Sequence, residues 1–271
     1  MNTFPKISIV SVFKNSRDML KLIMESVLSQ DYPNIEHIII DSESTDGSVE
    51  LLHEYSSKYS EKKYNFIWKS EPDRNMIEGY NKALALLTGE YFMTHTDPFV
   101  NSSAVSLLVR NLNIGKYDSV CGGAIFQKDG VVIRRWSGKK GNWRFGWMAA
   151  QGSLCISTDT LRKHGNFSEK YTTSFDYDFQ LRILMDKSIR INSIKQPIII
   201  FFAGGVSNGT FNDNKTSIKE NYKILKDNNV KFAWFTVLCK CIIAFCAYTF
   251  ASRKNIEHEL KQLPGMHYEE E

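Results

Sequence analysis

The chain has 271 residues, 42% of them hydrophobic and 24% charged, which is typical of a globular protein. Its length suits one large α/β domain or a domain with an appendage. Its net charge of +4 is too small to predict a nucleic-acid-binding protein. Five cysteines, an odd number without zinc-site spacing, indicate free thiols in a reducing compartment. No apolar signal segment precedes the first strand, so we expect no export.

Apolar runs alternate with amphipathic segments up to about residue 100. The β-branched runs predict buried strands, and the segments with one apolar face predict helices, the second of which we expect Ser48 to cap. The order β-α-β-α-β-α-β predicts an α/β fold with a parallel sheet covered on both faces. The predicted strands are Lys6–Phe13, Ile35–Ile40, Phe66–Trp68 and Tyr91–Thr94, and the predicted helices are Asp18–Gln30, Val49–Tyr59 and Asn75–Leu87.

The second part of the chain has a less regular pattern. A turn at Lys128-Asp129-Gly130 joins two predicted strands, and residues 204–209 form a predicted glycine-rich loop. The predicted strands are Ser119–Phe126, Val131–Trp136, Gly152–Ser157, Ile189–Ile194 and Ile198–Ala203, and the predicted helices are Thr158–His164 and Asp176–Lys187. We therefore expect a domain over residues 1–210, with halves at 1–100 and 101–210, and a helical extension over residues 211–271.

The tail from Phe232 to Ala251 is almost entirely apolar. It is long enough to span a bilayer, but Lys240 near its middle argues against that. Basic residues flank it, as expected for a helix lying on an anionic membrane surface. The alternative is a helix that packs on the globule or on a second subunit. The flanking residues are Lys226, Lys231, Arg253 and Lys254.

Polar clusters follow each of the first four predicted strands. Parallel topology places all four at one edge of the sheet, where ligands bind in open α/β folds. Together they offer carboxylates for a base, a ribose or a metal, and a cation for phosphate. The clusters are Phe13-Lys14-Asn15, Asp41 to Ser48, Glu71-Pro72-Asp73-Arg74 and His95-Thr96-Asp97-Pro98. Asp73 taken alone is equally typical of a turn.

Several short segments over about residues 5 to 210 have a characteristic order and spacing. They are Ile7–Val10, Glu25–Glu36, Asp41–Ser48, Ser70–Arg74, Asn81–Ala83, Thr88–Tyr91, Asp176–Asp178 and Gly204–Ser207. Taken together, they resemble the family 2 glycosyltransferases of bacterial polysaccharide synthesis. The resemblance implies a GT-A fold, a Rossmann-like and mostly parallel sheet with helices on both faces. It implies inverting transfer of a sugar from a nucleoside diphosphate, UDP above all, to a hydroxyl of a glycan or lipid-linked glycan.

The resemblance also implies roles for single residues. Asp41 would bind the nucleobase, Asp73 and Arg74 the nucleoside and diphosphate, and Asp97 a Mn²⁺ or Mg²⁺ ion. The family usually has an acid two residues before the metal ligand; here His95 stands there, either as a replacement ligand or as an ordinary strand-end residue. This departure motivates an alternative function, a non-catalytic nucleotide-sugar-binding or scaffold protein. The candidate nucleotide-binding residues are Phe13, Asn15, Asp41, Ser44, Asp73, Arg74, Asn81 and Thr96.

By the same resemblance Asp176 is the base that deprotonates the acceptor hydroxyl, and Asp178 is the second candidate. The alternative for Asp176 is a helix cap. Trp143, Trp147 and Gln151 are candidate acceptor-binding residues, although the two rings could equally pack beneath a long loop. We expect as partners a donor nucleotide sugar, an oligosaccharide or lipid-linked acceptor, a membrane surface through residues 232–254, and a second copy in a homodimer. The expected location is the cytoplasm, at the inner face of the membrane.

Overall fold

A computed structural model describes residues 4–128, 131–202 and 211–249. Its strands belong to one sheet in the order β3-β2-β1-β4-β7-β5-β6, with β8 also paired to β5. The strands are β1 (Ile7–Phe13), β2 (Ile35–Asp41), β3 (Asn65–Ser70), β4 (Tyr91–Thr94), β5 (Ser119–Lys128), β6 (Val131–Trp136), β7 (Leu154–Ser157) and β8 (Ile191–Phe202). This mixed α/β architecture confirms the predicted fold class.

The first four strands run parallel, as predicted from their alternation with helices. β7 pairs antiparallel with β4 and β5, while β8 runs parallel to β5. The strand order reverses between β1 and β4, which is where an open α/β sheet forms a ligand crevice.

Helices cover both faces of the sheet. The described helices are α1 (Arg17–Leu28), α2 (Ser48–Glu61), α3 (Met76–Leu84), α4 (Ala104–Leu112), α5 (Thr158–His164), α6 (Phe175–Met185), α7 (Phe211–Asp227) and α8 (Ala233–Thr249). One hydrophobic core lies between the sheet and α1, α2 and α4, and a second lies between the sheet and α3, α5 and α6. The apolar residues of β1 and β2 alternate between these two cores, which explains their continuous β-branched runs.

Three local predictions are wrong. Gly47, not Ser48, caps α2, because the chain turns there through a left-handed conformation with φ of 88°, and Ser48 instead donates to Asp46. The third helix ends at Leu84, short of the predicted end. The two predicted strands between residues 189 and 203 form the single strand β8, whose irregular register with β5 lies around Pro197.

The C-terminal helices α7 and α8 pack beside α6 rather than forming a separate layer of the sheet. Ile224, Leu225 and Ala233 are buried with Tyr177 and Leu181 of α6 in a third small core. Within the described residues, no helix is both long and apolar enough to cross a membrane. The predicted turn at 128–130 lies largely outside the described residues, and the glycine-rich loop at 204–209 lies entirely outside them.

Candidate active site

The carboxyl ends of β1, β2 and β3 meet in one row, because Phe13 pairs with Asp41 and Asp41 pairs with Ser70. Asp41 is fully buried there. Its Oδ2 accepts from the backbone N–H of Ser44 at 2.9 Å and from the hydroxyl of Ser70 at 2.7 Å. Its Oδ1 is buried without a partner, although buried polar atoms are normally hydrogen-bonded. Asp41 therefore has one acceptor atom that no donor of the described residues satisfies.

The loop after β1 is tied to the loop after β2. Asn15 adopts a left-handed conformation with φ of 46°. Its backbone N–H donates to the Ser44 hydroxyl at 2.7 Å, and its side-chain oxygen accepts from the backbone N–H of Thr45 at 2.8 Å. Phe13 is buried in the core beneath. Asn15 and Ser44 thus fix the shape of this part of the crevice around Asp41.

Asp73 lies beside this row with its side chain fully buried. Its Oδ2 accepts from the Ser42 hydroxyl at 2.8 Å, and its Oδ1 forms an ion pair with Lys82. A Cβ on Gly79 would lie 2.9 Å from Asp73 Oδ2, so only glycine lets α3 approach this closely. The carboxylate is therefore held in place before any ligand arrives.

Arg74 and Asn81 connect α3 to the segment that precedes α6. Arg74 contacts Glu78 at 2.6 Å and Glu169 at 3.0 Å, and its side chain is 71% exposed. Asn81 donates to the backbone oxygen of Phe167 at 3.0 Å and accepts from its N–H at 3.1 Å. The amide of Asn81 is thus used within the protein, whereas Arg74 can exchange its exposed partners for a phosphate.

Tyr80 links the end of β4 to the start of α6. Its hydroxyl shares a hydrogen bond with Thr96, and burial raises its pKa, with further upward contributions from the carboxylates of Asp97 and Asp176. Thr96 also donates weakly to Asp97 at 3.4 Å. The charges of Asp97 and Asp176, which are far apart in sequence, therefore both act on the pKa of Tyr80.

The two candidate metal ligands, His95 and Asp97, have different environments. The imidazole of His95 is fully buried, stacks on Phe99 with ring centroids 3.8 Å apart, and has no hydrogen-bond partner on either nitrogen. Burial holds its pKa well below the usual range. Asp97 is only partly buried, and burial raises the pKa of its carboxyl group to about 7. The geometry favours core packing for His95 and leaves Asp97 as the group that fits a cation.

No group of three or more His, Cys, Asp or Glu side chains that could hold a metal occurs among the described residues. Mg²⁺ and similar hard ions are commonly held by one or two carboxylates together with substrate phosphates. A half-buried carboxyl group with a single weak hydrogen bond, as at Asp97, suits that arrangement.

The two acids of α6 have different surroundings. Asp178 is buried and forms an ion pair with Arg182 at 3.0 Å, and Arg182 in turn donates to the backbone oxygen of Asn166 at 2.8 Å. Asp176 is partly accessible, and its Oδ1 accepts from the backbone N–H of Tyr177 at 2.8 Å. Burial raises the pKa of Asp176, and the nearby charge of Lys240 acts in the opposite sense. Asp176 is therefore the acid of the pair that is open to a ligand.

Lys240 of α8 was not identified as a site residue from the sequence. Its ammonium group lies 3.6 Å from the centre of the Tyr177 ring and 3.2 Å from Oδ1 of Asn221. Burial lowers its pKa to about 8, with an opposing contribution from Asp176. The one signal in the sequence was a lysine interrupting an apolar segment, which we interpreted as evidence against membrane spanning.

The three candidate acceptor-binding residues have different environments. Trp143 packs at the edge of the third core. The guanidinium group of Arg144 lies over its ring, at 4.5 Å from the ring centre. Trp147 packs against the second core. Gln151 donates to Thr94 at 3.1 Å and accepts from Gln180 at 2.7 Å, so its amide joins β4 to α6.

This combination of fold and crevice is that of the nucleotide-sugar transferases, and the family comparison agrees. Residues 8–180 match the model of Glycosyl transferase family 2, so the chain belongs to that family.

Relatives of known name support the same assignment. The chain is 27% identical over 238 residues to the UDP-Glc:alpha-D-GlcNAc-diphosphoundecaprenol beta-1,3-glucosyltransferase WfaP of Escherichia coli, covering 86% of this chain and 90% of that protein. It is 28% identical over 139 residues to the GalNAc(5)-diNAcBac-PP-undecaprenol beta-1,3-glucosyltransferase of Campylobacter jejuni, covering 50% of this chain and 43% of that protein. It matches 32% of the length of the putative glycosyltransferase EpsE of Bacillus subtilis, at 32% identity over 34% of this chain. The chain thus spans less than half of these last two relatives.

Solved structures share the fold. Residues 1–349 of S. aureus TarS in complex with UDP-GlcNAc superpose with a TM-score of 0.64 at 13% identity, covering 91% of this chain and 73% of that one. The mannosyltransferase PcManGT of Pyrobaculum calidifontis, in complex with GDP-Man and Mn²⁺, has a TM-score of 0.62 at 13% identity, covering 93% and 77%. These likenesses confirm the GT-A architecture.

Proposed function

We propose that the chain is an inverting glycosyltransferase that moves a sugar from a UDP-sugar to a hydroxyl group of a lipid-linked glycan. The observation that carries the proposal is the arrangement of carboxylates at one sheet edge. Asp41 ends β2 at the edge where β1 and β3 also end, and the charges of Asp97, which follows β4, and of Asp176 both act on the pKa of Tyr80. Family membership and the TarS complex with UDP-GlcNAc support a nucleotide-sugar donor.

Asp41 is the nucleobase-binding residue in this proposal. Uracil has a ring N–H, which can donate to the free Oδ1 of Asp41, while Asn15 and Ser44 hold the surrounding loops. Asp73 lies beside the ribose, and Arg74 releases Glu169 to contact the diphosphate, because an exposed ion pair is weak and a diphosphate carries more charge than a carboxylate.

Asp97, with Thr96 beside it, would hold a Mn²⁺ or Mg²⁺ ion together with the diphosphate oxygens. When bound, such an ion neutralises the charge that develops on the departing nucleoside diphosphate. The altered element before Asp97 leaves the protein with one carboxylate here, so we expect metal affinity to depend strongly on bound donor.

Asp176 acts as general base. Its partly accessible carboxylate accepts the proton of the acceptor hydroxyl while that oxygen attacks the anomeric carbon on the side opposite the diphosphate. The bond from the anomeric carbon to the diphosphate oxygen breaks as the new glycosidic bond forms, so the anomeric configuration inverts. Its place in the first turn of α6 favours the ionised state.

The acceptor enters from the side of Trp143 and Trp147, with Gln151 positioning the wall between β4 and α6. Both WfaP and the Campylobacter relative are named for acceptors on undecaprenyl diphosphate, which motivates a lipid-linked acceptor here.

The outer face of α8 supports a peripheral position on an anionic membrane at the cytoplasmic side. Apolar side chains are exposed along it, and the exposed lysines Lys226 and Lys231 lie just before it. A helix with such a face buries apolar area in the interface while the lysines meet anionic headgroups. The exposed apolar residues of this helix are Trp234, Phe235, Leu238, Ile242, Ile243 and Phe245.

A donor screen tests the proposed function. We expect UDP-sugars to raise the thermal unfolding temperature of the protein, and Mn²⁺ to enlarge this shift, because ligands that bind the folded state stabilise it. The stabilising sugar should then be transferred to a lipid-linked glycan, with loss of transfer in Asp97→Ala. Nucleotide-sugar binding without any turnover would instead favour the scaffold alternative, and absence of binding would refute both.

A further inference from the structure

The inner face of α8 carries a lysine that the proposed reaction does not yet use. Most of the described part of α8 is apolar, and its exposed face is the proposed membrane-binding surface. Lys240 lies on the opposite face, toward α6 and α7. Placing an ammonium group in a half-buried position is costly, so its position needs an explanation other than solubility.

Close contacts hold α8 in this position. A Cβ on Gly146 would lie 2.6 Å from the backbone nitrogen of Lys240, so the turn that follows Trp143–Phe145 approaches the backbone of α8 directly. The Thr236 hydroxyl donates to the backbone oxygen of Arg144 at 3.0 Å. The seating of α8 thus determines where the Lys240 ammonium lies.

The Lys240 ammonium has polar neighbours but no anionic partner in contact. It meets Asn221 and the ring of Tyr177, and no carboxylate of the described residues lies within 4.0 Å of it. Asp176 is adjacent to Tyr177 in the first turn of α6, and it is the acid on which the charge of Lys240 acts.

The other charged groups near the base are already engaged. Asp178 is paired with Arg182, and Glu220 of α7 accepts from the backbone N–H groups of residues 172–174. The charge of Asp176 also acts on Tyr80 of α3 and raises the pKa of its hydroxyl. Lys240 of α8 is the cation whose charge lowers the pKa of Asp176.

We propose that Lys240 is a positioning residue for the reaction: seated by α8 over the ring of Tyr177, its ammonium group supplies a fixed positive charge beside the first turn of α6, where Asp176 lies. The proposal rests on the assignment of Asp176 as the base. It makes α8 a part of the active site in addition to its exposed membrane-facing surface.

The first test compares Lys240→Met, Lys240→Arg and the control Lys223→Met. Lys223 lies on α7 over another tyrosine ring, that of Tyr171, but is exposed. In Lys240→Met we expect the acid limb of the kcat/KM profile to move up by about one pH unit, because the base loses a nearby positive charge. The profiles should converge at higher pH, where the base is ionised in both proteins. Lys240→Arg should restore the profile in part, and Lys223→Met should match the wild type.

The second test displaces Lys240 without removing it. In Gly146→Ala the new methyl group must push α8 away, so we expect the same upward shift of the acid limb. Gly115→Ala is the matched control, because Gly115 has a similar φ of 84° but nothing within 4 Å of its Cβ position.

The outcomes distinguish failure of the Lys240 inference from failure of the proposed function. A wild-type pH profile in Lys240→Met, while Asp176→Asn is inactive, would overturn the role of Lys240 and leave the proposed function intact. Full activity in Asp176→Asn would overturn both. Lower activity of Lys240→Met at all pH values with an unshifted acid limb would mean a structural contribution only, and would also overturn the inference.

Discussion

At the scale of single residues, the candidate site depends on carboxylates whose surroundings differ. Asp41 and Asp73 are fixed by hydroxyl and backbone donors or by a lysine, whereas Asp97 and Asp176 are partly open and raised in pKa by burial. Groups held rigidly suit recognition, and groups with perturbed pKa values suit chemistry. In the proposed reaction, Asp41 and Asp73 shape the donor site, and Asp97 and Asp176 face the reacting atoms.

Asp41→Asn should weaken UDP binding by about 10- to 100-fold, because the amide offers N–H groups where the wild type offers only acceptors. The measurement is titration calorimetry with UDP in the presence of Mn²⁺. Glu43→Gln is the control, since Glu43 is exposed in the same loop. Equal affinity in Asp41→Asn and wild type would exclude Asp41 from nucleobase recognition.

Asp178→Asn should destabilise the fold by about 1–3 kcal/mol, because Arg182 would lose its ionised partner in a buried setting. Asp176→Asn should leave stability close to that of the wild type, since the one hydrogen bond of its carboxylate within the described part of the chain comes from the backbone N–H of Tyr177. Urea unfolding of both variants measures this difference. A larger loss of stability in Asp176→Asn than in Asp178→Asn would contradict these roles.

The common sheet edge of Phe13, Asp41 and Ser70 could be predicted from sequence, because these residues end strands that alternate regularly with helices. The roles of the donor-site residues and of Asp176, which rest on the family resemblance, stay predictions. Lys240 could not be predicted, because its position depends on how α8 folds back onto the turn near Gly146. The burial of His95 against Phe99 could not be predicted from the sequence either, because a residue at a strand end can face either the crevice or the core.

At the scale of elements, a buried acid on β2 ties together the edge of the sheet opposite the crevice. Glu36 accepts from Ser8 at 2.6 Å, from Asn65 at 2.7 Å, and from the backbone N–H and hydroxyl of Thr88 at 3.0 and 2.6 Å. Burial alone would raise its pKa, but these hydrogen bonds outweigh burial and lower it.

Glu36→Gln should lower the free energy of unfolding by about 1.5–3 kcal/mol at pH 7, because the new N–H groups would face donors. The lowered pKa means that the charged group stabilises the fold above its unfolded pKa of about 4.5, and that this contribution is lost as the pH falls through the lower folded pKa. The difference between wild type and Glu36→Gln should therefore shrink in acid. Unfolding titrations of wild type and Glu36→Gln at several pH values measure this, with the exposed Glu50→Gln as control. A difference in the free energy of unfolding between wild type and Glu36→Gln that stayed constant with pH would contradict this account.

Element prediction succeeded where periodicity was strong and failed where tertiary contacts decided. The two short strands around residue 195 are one, because Pro197 sits at a register irregularity opposite Gly123, where a missing N–H is tolerated. Helix α4 was not predicted, although Ala104, Val105, Leu108 and Leu112 share one buried face that could have revealed it.

At the scale of the whole molecule, α8 joins two surfaces. Its inner face reaches the proposed base through Lys240, and its outer face leaves large apolar side chains in solvent, with Trp234 60% and Ile242 52% exposed. Exposed apolar area of this kind marks an interaction site. The division into domains, the homodimer and the cytoplasmic location stay predictions.

Replacing Leu238 and Ile242 together by Glu should reduce binding to vesicles that contain anionic phospholipid by at least about tenfold, because each charge would have to enter the interface. Co-sedimentation with anionic and with purely zwitterionic vesicles measures this. Ile114→Glu is a matched control, since Ile114 is 59% exposed but distant in the chain from α8. Equal binding by the double variant and the control would remove the membrane role of α8.

The central claim is that carboxylates brought to one crevice by the sheet carry out sugar transfer with Asp176 as base. The most direct measurement is transfer from the stabilising UDP-sugar to a lipid-linked glycan, with the product's anomeric configuration read by NMR, in wild type and Asp176→Asn. We expect an inverted product from the wild type, and a loss of at least about 100-fold in kcat for Asp176→Asn with UDP binding unchanged. A retained configuration, or full turnover without the Asp176 carboxylate, would contradict the account.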